Sequence, residues 1–163
     1  MKLPGSTFSR YTLAGLLGVT LTATAVLGAA HMDKKGLEDA IKARKSHMQL
    51  YAFNLGLLGG MAKGEIDYDA SSAEGAAANL AALAAMDQGR YWPEGTEAGM
   101  MDTRALPEIW SKMEEFDTAT DGLIQATMTL EEAAGTDLQS LQAGLGDVGK
   151  ACGACHKPFR KPE

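Results

Sequence analysis

Apolar residues return at steps of three and four along four stretches of this chain, and no stretch alternates as a half-buried strand would. That spacing gathers them on one face of a helix, so four helical faces must be buried against one another. The first stretch covers about residues 33–63. Leu37, Ile41, Met48, Leu55 and Ala62 form its stripe, Arg44, Tyr51 and Leu58 lie between, and Gly64 is the stop. The second, about 69–88, is alanine-rich around Leu80, Leu83 and Met86. The third opens at Pro107, a favoured first-turn residue, and runs through Ile109, Met113, Phe116, Thr120, Leu123 and Leu130 to Gly135. Asp137 caps the fourth, whose stripe is Leu138, Leu141, Leu145, Val148, Cys152, Cys155 and Phe159. Two links are short. A long Gly/Pro-marked link before Pro107 has the length to cross from one end of a bundle to the other. The pattern predicts an all-α, antiparallel four-helix bundle.

Residues 1–30 are of another kind. Lys2 and Arg10 precede a charge-free apolar run that ends in Gly28, Ala29 and Ala30. A basic start, an apolar middle and a small-residue end describe an export signal, expected to be cut before His31 and to leave a domain of residues 31–163. Uncut, the run is nearly long enough to anchor the chain in a bilayer; cut, it leaves no stable membrane insertion. All 21 acidic residues follow residue 30, against 13 of the 15 bases, so the exported domain carries a net charge of −8. Such a domain is a poor ligand for nucleic acid or for anionic lipid.

The chain's two cysteines lie together in "ACGACHKPFR". On a helix, Cys155 three residues and His156 four residues after Cys152 share one face within a single turn. A disulfide there would close too small a loop to staple this fold. A thioredoxin-like pair expects a βαβ setting, and structural zinc needs a fourth ligand, while His31 and His47 are distant in sequence. Two thiols at this separation can add across the vinyl groups on one edge of a haem, with the neighbouring imidazole below the iron. Cys152 and Cys155 are therefore read as the anchors of one covalently bound haem c, and His156 as its proximal ligand.

Covalent attachment near the C-terminus of an all-helical domain resembles the class II cytochromes c, the cytochrome c′ family. The resemblance spans nearly all of residues 33–161. It rests on "KARKSHM", "MAKGE", "RYWPEG", "LPEIW" and "VGKACGACHKPFR", in that order. It implies that Arg44 lies near a haem propionate, that Arg160 lies on the proximal side, and that Met48, one turn past Arg44, occupies the distal position. It also implies a homodimer through the first two helices. "MAKGEIDYDA" and the aromatic-Pro-Glu-Gly link look more like the family's low-spin, methionine-ligated group.

That likeness points to an electron carrier of the periplasm, with iron held by His156 and Met48 and an acidic surface suited to basic redox partners. The alternative is a five-coordinate iron that binds nitric oxide or carbon monoxide, with Met48 as core filler. His47 is expected at the surface, about 100° round the helix from Met48. No catalytic triad, carboxylate pair or phosphate loop suggests an enzyme. Amino-terminal sequencing of protein recovered from a secreting host is expected to begin at His31; a chain beginning at Met1 would instead indicate an anchor.

Overall fold

A computed structural model describes residues 32–162. The expected export signal and His31 lie outside the described residues. Asp33 starts α1 (Lys34–Lys63), its carboxylate accepting from the Gly36 amide at 2.8 Å. Asp69 does the same for α2 (Ala70–Ala84) through Ser72, and Asp137 for α5 (Leu138–Phe159) through Ser140. Each cap satisfies an amide that the first helical turn leaves without a carbonyl partner. Between them lie a one-turn α3 (Glu108–Ser111) and α4 (Met113–Ala133). Gly64 ends α1 with φ 72°, a left-handed conformation that costs glycine nothing.

Two boundaries differ from those that the periodicity predicts. The second helix stops at Ala84 instead of continuing to Gln88. There the Asp87 carboxylate takes the Gly89 amide at 2.9 Å, a local bond that competes with helical pairing and opens a 3-10 turn at Gly89–Tyr91. The third helix is broken at Lys112, whose φ of −134° and ψ of 48° leave the helical region. The turn before the break is held by Trp110, whose indole donates to the Trp92 carbonyl at 3.0 Å.

The long link does not cross the bundle. It stays at the end where α2 finishes and α4 begins, bonded to α1 through Arg44–Thr96 and Lys45–Asp102. It is bonded to the end of α5 through Leu106 N–H to Phe159 O (2.9 Å) and Lys161 N–H to Arg104 O (2.8 Å). The two short links sit at the opposite end, joined by Tyr68 Oη to Ala134 O and by Gln142 Nε2 to Ala62 O. The helices thus run up, down, up and down.

Two apolar clusters fill the interior. The larger joins Tyr51, Leu58 and Met61 of α1 to the alanine stripe of α2 and to Leu130, Leu141 and Val148. The smaller, under the long link, is Ile109, Phe116 and Phe159 with Trp92 and Trp110 against it. Close packing of α4 on α5 depends on Gly144, where a Cβ would come within 2.9 Å of a Leu130 methyl. Among the described residues no helix is long and apolar enough to cross a membrane.

Leu130 has no exposed surface. Leu130→Ala is expected to lower the free energy of unfolding by about 2–5 kcal/mol in a urea titration. A loss under about 1 kcal/mol would contradict its place in the central cluster.

Candidate functional site

The last two turns of α5 carry Cys152, Cys155 and His156, and the backbone bonds to the long link hold them in place. Cys152 packs against the larger cluster and Cys155 against the smaller, so the thiols straddle the boundary between the two. Neither is in a disulfide. Burial raises both thiol pKa values, and Cys155, further raised by Cys152, reaches about 11. His156 is exposed at the surface. Partial desolvation, then the charges of Arg160 and Arg104, still lower its imidazole pKa and favour the neutral form that binds a metal. Arg160 is therefore near enough to the histidine to act on it electrostatically. Arg104, which donates to the Lys161 carbonyl through Nε and Nη2, was not foreseen.

The facing side chains come from α1, and they are not those that the apolar stripe suggests. Arg44, His47 and Tyr51 are buried, 5%, 4% and 7% exposed, whereas Met48 is 39% exposed and belongs to neither cluster. His47 is thus an interior residue, and the expectation of a surface histidine is corrected. Its ring meets Tyr51 edge-on at 4.9 Å and Tyr91 at 5.7 Å. Desolvation lowers its pKa, partly offset by the Leu83 backbone.

Arg44 is held by neutral groups. Nη1 donates to Thr96 Oγ1 at 3.2 Å and Nη2 to the Thr96 carbonyl at 3.0 Å, while the guanidinium lies 4.6 Å from the centre of the Trp92 ring. Thr96 is wholly buried and donates in turn to Pro93 O. Desolvation pushes the guanidinium down to about 10. No carboxylate among the described residues pairs with it, although burying an unpaired cation costs several kcal/mol. Trp92 continues through Phe116 (4.9 Å) to Phe159 (5.4 Å) and so links Arg44 to the cluster that holds Cys155.

A buried cation without an anion, two free thiols and an adjacent imidazole fit a group that bears carboxylates, two thiol-reactive edges and a metal. Haem has all three. Trp92 lies in the "RYWPEG" segment on which the resemblance rests, whereas Thr96 was signalled only by the neighbouring Pro93 and Gly95, which bend the link. A surface groove of about 770 Å³ between α1 and residues 99–102 contains none of the motif.

The family model described as Cytochrome C′ matches residues 39–160. Cytochrome c-554 of Cereibacter sphaeroides is 41% identical over 148 residues, which is 90% of this chain and 96% of that protein. Among solved structures, a cytochrome c′ from Rhodobacter sphaeroides superimposes with a TM-score of 0.76 at 35% identity, over 78% of this chain and 98% of that one. A nitric oxide complex of a cytochrome c′ variant from Alcaligenes xylosoxidans gives 0.67 at 38%, over 77% and 97%.

If Arg44 serves a carboxylate of the bound group, Arg44→Leu should destabilise the haem-loaded protein by about 2–4 kcal/mol. The same change should cost less in a Cys152→Ser/Cys155→Ser chain that lacks haem. Equal losses in guanidinium denaturation would remove that role.

Proposed function

This chain belongs to the cytochrome c′ family, and on that premise we propose that it works in the periplasm as a haem protein that binds nitric oxide or carbon monoxide. The cofactor is covalently attached haem c, whose iron, when bound, cycles between ferrous and ferric and coordinates diatomic gases. Cys152 and Cys155 anchor its edge. His156 would ligate from the α5 side, its neutral form favoured by partial desolvation and then by the charges of Arg160 and Arg104. Arg44 would pair with a propionate, with the Trp92–Phe116–Phe159 chain packed beside it.

The observation that carries this reading is the likeness, over most of the chain, to relatives named cytochrome c′, one of them solved as a nitric oxide complex. Met48 would then pack beside the haem without serving as a sixth ligand. The electron carrier with His156/Met48 iron and basic redox partners is the second reading. One feature favours it: Met48 follows Arg44 by four residues, which places the two on the same side of α1. A homodimer through α1 and α2 suits both readings, since Leu50 and Phe53 leave 51% and 78% of their surfaces uncovered on α1.

A spectrum distinguishes the two. The ferrous protein is expected to be high-spin, to take up carbon monoxide at neutral pH, and to be unchanged by Met48→Ala. A sharp low-spin α band indifferent to carbon monoxide, made gas-sensitive by Met48→Ala, would establish the carrier instead.

A further inference from the structure

The buried polar side chains of this bundle are nearly all satisfied. Arg44 is bonded to Thr96, Thr96 to Pro93 O, Asn54 to Leu50 O and Asn79, and Thr127 to the carbonyls of Leu123 and Ile124. Among the described residues two atoms are exceptions, the His47 Nε2 and the Tyr51 hydroxyl, both buried and without a partner at full hydrogen-bond geometry, although the Gln88 side chain comes near enough to the hydroxyl to lower its pKa. Leaving such a group unsatisfied costs about 1–3 kcal/mol. Two on adjacent turns of one helix therefore require an explanation.

Their surroundings supply one. His47 and Tyr51 are four residues apart on α1 and share a face, with their rings meeting edge to face. Tyr51 belongs to the cluster against which Cys152 packs, and the two side chains are close enough to interact electrostatically. The orphan pair thus lies beside the first haem anchor, on the helix that faces the attachment turn. Tyr91 meets the imidazole edge-on at 5.7 Å, and the Leu83 backbone of α2 is within hydrogen-bonding reach of it.

We propose that Tyr51 and His47 are the polar wall of the gas pocket: the Tyr51 hydroxyl donates a hydrogen bond to the bound diatomic, and His47 is the residue that positions it. This rests on the gas-binding reading above. A phenol in an apolar cavity is a donor of fixed direction, and the donors beside a haem decide how strongly a diatomic is polarised and retained. No iron ligation by either residue is involved.

The test is infrared spectroscopy of the ferrous carbon monoxide complex of the haem-loaded protein. Tyr51→Phe removes only the hydroxyl, and His47→Phe keeps an edge-packed ring without its nitrogens. Both should move the C–O stretch to higher wavenumber and abolish its sensitivity to deuterium oxide, the tyrosine change more strongly. Loss of one such bond should also speed carbon monoxide release about fivefold. Circular dichroism checks that each variant keeps its helices. Unchanged stretch and release in a folded Tyr51→Phe protein would overturn this inference and leave gas binding standing. Failure of the wild-type protein to bind carbon monoxide would overturn both.

Discussion

The bundle carries a positive charge into its interior, and among the described residues no negative one meets it. Arg44 lies under the long link, with a threonine on one side and an indole face on the other. Neutral hydrogen bonds and a cation–π contact soften the desolvation cost of a guanidinium without cancelling it. The helices, the folded-back link and the aromatic chain are arranged around that charge. They become intelligible once a carboxylate-bearing group is placed beside it. That requirement joins α1 to α5, the pair that shares the attachment turn and the orphaned polar atoms.

Much of the fold was legible because its signals are local. Aspartates before α1, α2 and α5 and a glycine after α1 mark helix ends through bonds made within a few residues. The Cys-x-x-Cys-His turn was legible for the same reason, since its chemistry depends on the pitch of one helix. The extent of α2 was not, because Asp87 could as well have continued the helix as turned back onto Gly89. Nor was the course of the long link, which is set by bonds from Leu106 and Lys161 to partners tens of residues away.

The inward face of α1 shows where periodicity alone runs out. Arg44, Tyr51 and Leu58 repeat every seven residues, and two other rows flank them: Ile41, Met48 and Leu55 on one side, His47, Asn54 and Met61 on the other. The rows differ in direction by about 100°, and the more apolar sequence pattern favours the first. Packing buries the second throughout, while of the first it buries Ile41, half-covers Leu55 and leaves Met48 exposed. Asn79 of α2 bonds Asn54, and Leu83 flanks His47, so α2 covers the more polar row. Met48 is left on the side that α2 does not cover, which is why its role cannot be read from its position in the sequence.

Everything in this picture depends on two sulfur–carbon bonds that would fix a haem to the final helix through Cys152 and Cys155. Intact mass spectrometry of the exported protein, made in a host able to attach haem c and denatured before measurement, tests it directly. One species is expected, at the mass of the processed chain plus one haem, with a fall to the bare chain when Cys152 and Cys155 are both replaced. Wild-type protein at the mass of the bare polypeptide would contradict it.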